Sequence, residues 1–343
     1  MHCTEVIFSA SEPYLPAAVL ELVDAFPTAR IQQLAPGLGR FEACDVDIAE
    51  VAQAVHRRPI LFVQHLLRAI ATPPRRSLDE DVQQVADIGV NLLHSSGVGT
   101  DIALQVWQSG EFVRSYRPEE IRSGLAERLT QRGFSLSRGS RDWILSVLIT
   151  QEQVIVGFNR REDALVDWPG GRLSLAQCKD QISRSEFKLE ELFKVVDLAL
   201  PAQGVALDLG ASPGGWTRIL RQHGFTVWAV DPGALDPRVA ADPNVHHAEM
   251  TAARYLAETN LKFDLVANDM RMTPILSSKL MLEAANRLKP GGLGIITLKI
   301  TPHKPRDVIE DCFSILRRRY DIVFASQLFH NRNEVTVVVR RAG

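Results

Sequence analysis

The sequence predicts an α/β protein. Its C-terminal part, residues 171–343, is a Rossmann-like, doubly wound domain with a seven-stranded sheet, and two smaller α+β modules precede it. Three observations carry this. Apolar strand-like runs and amphipathic helices alternate from Phe187 to the end of the chain, the pattern of parallel strands with helices on both faces. A glycine-rich turn, Gly210-Ala211-Ser212-Pro213-Gly214-Gly215, separates the first of these strands from a helix. The last two strands are joined only by Phe329–Asn333, too short for a parallel crossover, so they form an antiparallel hairpin.

The seven expected strands are Val205–Gly210, Thr226–Val230, Val245–Ala248, Phe263–Asn268, Gly294–Ile300, Ile322–Leu328 and Glu334–Arg340. Among doubly wound folds, a parallel sheet that ends in an antiparallel hairpin is the class I methyltransferase variant. Upstream, Glu5–Ala10 reads as a strand and Tyr14–Phe26 as a helix, with apolar spacing at Leu15, Val19, Leu22 and Val23. Ile31–Cys44 reads as two strands about the turn Pro36-Gly37-Leu38-Gly39, followed by a helix over Asp47–His56 that Pro59 stops, and a strand over Ile60–Ile70. This βαββαβ order predicts a ferredoxin-like module over residues 1–75. Thr72–Ser77 is a linker by composition. Residues 76–170 form a second module: a helix from Leu78 to His94, a strand at Ile102–Trp107, a helix at Pro118–Arg132, and strands at Trp143–Thr150 and Val154–Phe158. Pro118 in the first turn with Glu119 and Glu120 beside it marks a helix start, and Gly133 marks its end. Asn159–Glu186 is polar and reads as a surface linker.

Composition narrows the function classes. At 343 residues the chain is long enough for two or three domains, and 45% hydrophobic with 23% charged residues is ordinary for a globular protein. No apolar run approaches the roughly 20 residues that span a bilayer, and Met1–Ala10 lacks the features of a signal peptide. Cys3, Cys44, Cys178 and Cys312 are dispersed, without a CxxC pair. That pattern suggests no zinc site and no disulfide framework, and fits a cytoplasmic protein. A net charge of −2 means that a nucleic-acid partner would have to be held by a local basic face.

The stretch Asp208-Leu209-Gly210-Ala211-Ser212-Pro213-Gly214-Gly215-Trp216 is the candidate cofactor site. Glycines let backbone N–H groups approach a ligand at the first crevice of the sheet. Asp231 ends the next strand, 23 residues after Asp208, where an acid accepts from ribose hydroxyls. The geometry would serve NAD or S-adenosylmethionine. The absence of GxGxxG, the donor removed by Pro213 and the presence of Asp269 at the same crevice favour S-adenosylmethionine. Glu249, after the third strand, is the candidate to meet the adenine.

Four charged residues are expected around the crevice mouth: Lys188 at the start of the helix before the first strand, Asp269 after the fourth strand, Lys299 ending the fifth, and Glu334 opening the last. Lys299 follows a nearly continuous apolar run, so it is either a snorkelling end or a working base. A ribose hydroxyl becomes a good nucleophile when its proton is removed. Lys299 could take it if a second cation, Lys188, stood nearby, with Asp269 and Glu334 orienting both lysines.

These residues, with the stretches Ser183–Glu191, Asn268-Asp269-Met270, Leu298-Lys299 and Leu328–Val337, resemble the FtsJ-type ribose 2′-O-methyltransferases, and most of all the RlmM type. The resemblance covers residues 183–343 in motifs and residues 1–170 only in architecture. It implies a Lys-Asp-Lys-Glu tetrad at Lys188, Asp269, Lys299 and Glu334, S-adenosylmethionine as methyl donor, and ribosomal RNA as substrate, a cytidine of 23S ribosomal RNA in the RlmM type. It also implies that the second module is THUMP-like, since Val90–Val166 matches that domain in element order. Arg114, Arg117, Arg138, Arg141, Arg160, Arg161, Arg172 and Arg184 are the candidate phosphate contacts, and Trp168 reads as a packing residue before a base-stacking one. The alternatives are a non-catalytic RNA-binding assembly factor built on the same scaffold, and an NAD oxidoreductase.

Overall fold

The computed structural model describes residues 4–57, 60–109, 116–139, 141–175 and 180–342. It divides into two compact units, Met1–Leu173 and Ser174–Gly343. Among the described residues no helix is long and apolar enough to cross a membrane.

The first unit runs β1 (Thr4–Ser9), α1 (Leu15–Ala25), β2 (Arg30–Ala35), β3 (Leu38–Ala43), α2 (Ile48–Arg57), β4 (His65–Ala71), α3 (Leu78–Ser96), β5 (Asp101–Gln108), α4 (Pro118–Gln131), β6 (Ser135–Ser137), β7 (Trp143–Ile149) and β8 (Val154–Arg160). Strands from both expected modules share one eight-stranded sheet, in the order β2-β3-β1-β4-β8-β7-β5-β6. The join is the antiparallel pair β4–β8, through Ala69 and Gly157. A Cβ on Gly157 would lie 2.5 Å from Leu67 Cγ, so glycine permits the close approach there. Two readings shift. Residues 60–64 are not strand, because Glu21 Oε2 accepts the backbone N–H groups of Leu61 and Phe62 and takes them from the ladder. The three-residue β6 pairs in parallel with β5, too short to be seen as a periodicity. Ser77 and Glu80 form a capping box at the start of α3. Cys44 is disulfide-bonded, where the sequence suggested no disulfide framework.

The second unit runs α5 (Glu186–Val195), β9 (Gly204–Leu209), α6 (Gly215–Gln222), β10 (Phe225–Val230), α7 (Pro237–Ala240), β11 (Val245–Ala248), α8 (Ala252–Glu258), β12 (Phe263–Asn268), α9 (Pro274–Ala284), β13 (Leu288–Lys299), α10 (Pro305–Leu316), β14 (Tyr320–Ser326) and β15 (Glu334–Arg341). Its sheet has the order β11-β10-β9-β12-β13-β15-β14. The first five are parallel and β15 is antiparallel to both β13 and β14. The order reverses at β9, whose neighbours are β10 and β12. A crevice opens at such a switch point, beyond the carboxyl ends of the strands. Ala206, Leu207, Leu265, Ala267, Ile295 and Val338 are buried on these strands, as expected for strands covered on both faces.

Candidate active site

The ends of four neighbouring strands hold the site. Leu209 of β9 is in register with Val230 of β10 and with Asn268 of β12. The glycine turn, Asp231 and Asp269 therefore follow three adjacent strand ends. Gly210 has φ +78°, and a Cβ there would meet Met270 Cγ at 2.4 Å. Backbone conformation and the neighbouring loop thus both require glycine. Gly214, at φ +111°, precedes α6, and a Cβ on Gly215 would lie 2.2 Å from Ser183 Oγ. The helix start is packed directly under the segment leading into α5.

Asp231 lies at the mouth of this turn. Its Oδ1 accepts from the Gly233 N–H at 2.7 Å and its Oδ2 from the Ser212 N–H at 3.3 Å. Each oxygen keeps acceptor capacity. The Ser212 hydroxyl donates to the Ala234 carbonyl at 2.8 Å, and the Asp236 N–H donates to the Pro213 carbonyl at 2.8 Å, so the turn is tied to the strand end that carries Asp231. Pro213 is exposed. Trp216 is buried and donates from Nε1 to the Ser185 carbonyl at 2.8 Å, a packing position. Asp208 is also placed inside, 1% exposed, accepting from the Thr217 hydroxyl at 2.7 Å. Burial, against the Thr217 bond, pushes its carboxyl up to about 7. Asp208 thus supports α6 from beneath the turn. Glu249 is 76% exposed, 3.9 Å from His247 Nδ1, and projects into solvent. His247, unremarked in the sequence, lies with Nε2 3.2 Å from the Asp231 carbonyl.

The structure brings Lys188, Asp269, Lys299 and Glu334 into one cluster. Lys188 Nζ lies 2.9 Å and 3.0 Å from the two Asp269 oxygens and 2.6 Å from Glu334 Oε2. Lys299 Nζ lies 2.7 Å from Asp269 Oδ1 and 3.2 Å from Glu334 Oε1. The ladder explains the second pair, since Lys299 and Glu334 are directly opposed in the β13–β15 register. Burial works against the charge on Lys188, but the Asp269 and Glu334 carboxylates outweigh it and hold its pKa above the ordinary lysine value. For Asp269 burial works upward, and the Lys299 and Lys188 charges outweigh it, leaving the carboxyl below its usual range.

Sequence reading missed Thr297. Two residues before Lys299 on the same strand face, it donates to Asp269 Oδ1 at 2.5 Å and accepts from Lys299 Nζ at 2.7 Å. It also missed two buried carboxylates of α5. Glu186 accepts from the backbone of Ile182 and Ser183 and pairs with Arg218 at 2.6 Å. Glu191 accepts from the backbone of Phe329 and His330. Period-two spacing from Lys299 could have pointed to Thr297. The glutamates look like ordinary helix-surface acids until their distant partners are known.

Four of the arginine candidates are held in ion pairs. Arg138 pairs with Glu119 at 3.3 Å, Arg141 with Asp101 at 2.8 Å, Arg160 with Glu162 at 3.5 Å and Arg161 with Asp167 at 3.4 Å. Arg117, Arg172 and Arg184 are exposed, and Trp168 is half-buried. Arg114 lies outside the described residues.

Parallel strands, a switch-point glycine turn with an acid on the neighbouring strand, and a closing antiparallel hairpin define the Rossmann-like methyltransferase fold. Residues 181–336 match the FtsJ-like methyltransferase family. Three curated relatives carry the name Ribosomal RNA large subunit methyltransferase M. The protein of Halorhodospira halophila is 34% identical over 51% of this chain and 51% of its own length. That of Alkalilimnicola ehrlichii is 31% identical over 68% of this chain and 64% of its own. That of Azoarcus sp. is 32% identical over 51% of this chain and 50% of its own. The chain thus spans between about half and just under two thirds of the length of these relatives.

Proposed function

We propose that the protein is an S-adenosylmethionine-dependent RNA methyltransferase that methylates a ribose 2′-hydroxyl, with ribosomal RNA as substrate and a cytidine of 23S ribosomal RNA as the target class. The observation that carries the reading is the meeting of two lysine amines and two carboxylates at the mouth of the β9–β12 crevice. The relatives' name supports ribosomal RNA as the substrate. A cytoplasmic location goes with that substrate.

The residues suit the cofactor. Asp231 keeps acceptor capacity for ribose hydroxyls beside a turn that glycines hold close to the sheet. Gly210, Ser212, Pro213, Gly214 and Gly215 would hold it along the turn. When bound, S-adenosylmethionine supplies an already activated methyl group. The chain's own task is to present the hydroxyl and remove its proton. Lys299 Nζ, as the neutral amine, is the receiving atom, and it leaves the step as an ammonium. Lys188 contacts both oxygens of Asp269 as well as Glu334 and remains a cation. Asp269 and Glu334 orient both amines, and Thr297 fixes the Asp269–Lys299 contact. In the N-terminal unit we place RNA binding, with a ferredoxin-like module over residues 1–75 and a THUMP-like module over residues 76–170.

The test is transfer from methyl-labelled S-adenosylmethionine to unmodified ribosomal RNA, with the label mapped by alkaline resistance of the adjoining phosphodiester. A labelled 2′-hydroxyl is expected. Absence of label in every cellular RNA fraction would reject the reading in favour of a non-catalytic RNA-binding factor.

A further inference from the structure

We propose that Phe329 is a stacking platform for an unpaired base of the RNA strand whose ribose is presented to Lys299. The inference rests on the RNA methyltransferase reading above and adds the element that holds the base.

Phe329 lies between β14 and β15 in the segment Leu328-Phe329-His330-Asn331-Arg332-Asn333. Its neighbours are fixed. Leu328 is buried in the core. Buried Asn331 exchanges hydrogen bonds with Thr336 at 2.7 Å and 3.1 Å. Gln327 Nε2 donates to the Arg332 carbonyl at 2.7 Å. The buried Glu191 carboxylate accepts the N–H groups of Phe329 and His330 at 2.9 Å each, and His330 Nδ1 lies 2.7 Å from its Oε2. Burying a carboxylate is costly unless it is bonded in this way. Its three contacts all go to residues 329 and 330. Within this hydrogen-bonded frame Phe329 is 39% exposed. An aromatic side chain left in water on a well-held loop offers a preorganised face, because little of its freedom remains to be lost on contact.

Position identifies the occupant. The loop runs directly into Glu334, and the Asn333 carbonyl accepts from the Ile300 N–H at 2.9 Å, next to Lys299. His330 bridges the rings of Phe329 and Phe187, at centroid distances of 5.1 Å and 5.2 Å, and Phe187 precedes Lys188. In the sheet order the Asp231 strand, β10, lies on one side of the β12–β13–β15 cluster, and β14, which leads into the Phe329 loop, lies on the other. The adenosine of the cofactor belongs with Asp231. A base attached to a ribose at Lys299 falls on the Phe329 side. Base–aromatic stacking does not depend on sequence and is a common way of holding splayed single-stranded bases.

The experiment uses the full chain as wild type, Phe329→Ala, Phe329→Leu and Phe329→Trp. Phe329→Ala should raise KM for RNA about tenfold, within the range expected for one lost stack, with unchanged affinity for S-adenosylmethionine by calorimetry. Phe329→Trp should restore KM, and a short single-stranded oligoribonucleotide should quench its fluorescence beyond that of wild type and Phe329→Leu. A wild-type KM in Phe329→Ala, a loss of cofactor affinity, or a Phe329→Trp signal insensitive to the oligoribonucleotide would each overturn the proposal. The quench needs no turnover. Quenching in a protein that methylates no RNA would therefore uphold the platform while rejecting the methyltransferase reading.

Discussion

Lys299 and Glu334 face each other across the β13–β15 ladder, and their charges meet at 3.2 Å. The antiparallel hairpin at the end of the sheet is what makes this possible. It sets the first residue of β15 beside the last residue of β13, at the carboxyl edge where the glycine turn and Asp269 also emerge. A parallel strand in that place would put its own carboxyl end there. The chain reversal is thus part of the site as well as part of the fold.

Lys299→Ala should abolish most turnover while preserving cofactor binding. General-base removal costs about 10²- to 10⁴-fold in rate. Lys299 does not contact Asp231 or the glycine turn through any hydrogen bond among the described residues, so the affinity for S-adenosylmethionine should stay within about twofold, a difference of roughly 0.4 kcal/mol. Single-turnover transfer and calorimetry read the two quantities separately. A variant with wild-type turnover would remove Lys299 from the role of base.

Thr297→Val should weaken the site while Thr297→Ser should not. The threonine hydroxyl donates to Asp269 and accepts from Lys299, and the residue is buried. Valine fills the same volume and leaves both partners short of a hydrogen bond, at a cost of about 1–3 kcal/mol in stability. Urea denaturation checks the stability, and kcat checks the alignment of Lys299. Equal loss in the serine variant would point to packing of the methyl group instead of the hydroxyl.

Local signals made the second unit readable and long-range ones did not. Its strands are short apolar runs bounded by Gly, Pro or Asp, and the charges that matter sit at their ends, where Asp269 and Lys299 interrupt the apolar pattern. Asp208 shows the limit. Its place in the motif suggested a ligand contact, but only Thr217, nine residues on, reveals that it faces α6. Glu186 and Glu191 are legible only with Arg218 and His330 in place. In the first unit, the pairing of β4 with β8 joins segments some ninety positions apart, and no local periodicity encodes it.

Asp208→Asn should flatten the pH dependence of stability. Burial raises the folded-state carboxyl to about 7, against about 3.9 in an unfolded chain. Between these values the folded protein binds more protons than the unfolded one. This contribution is fully present below about pH 4 and is lost as pH rises through 7. Asparagine still accepts from Thr217 but does not titrate. Relative to wild type, the variant should gain stability between pH 4 and 7 in urea denaturation. Curves that run parallel across that window would contradict the buried placement of the carboxyl.

Gly210→Ala should destabilise the second unit and weaken cofactor binding together. The left-handed backbone at φ +78° costs a residue with a Cβ about 1–2 kcal/mol. The new methyl would also stand 2.4 Å from Met270 Cγ, pressing on the residue after Asp269. Met270→Ala in the same chain should relieve the contact while leaving the backbone cost. The double variant is therefore expected to recover part of the lost stability, and more of the turnover than of the melting temperature, because the contact, unlike the φ strain, displaces the Asp269 loop. If the double variant were no better than Gly210→Ala in either measure, the Met270 contact would play no part in fixing the site, and the glycine would be required by its backbone angle alone.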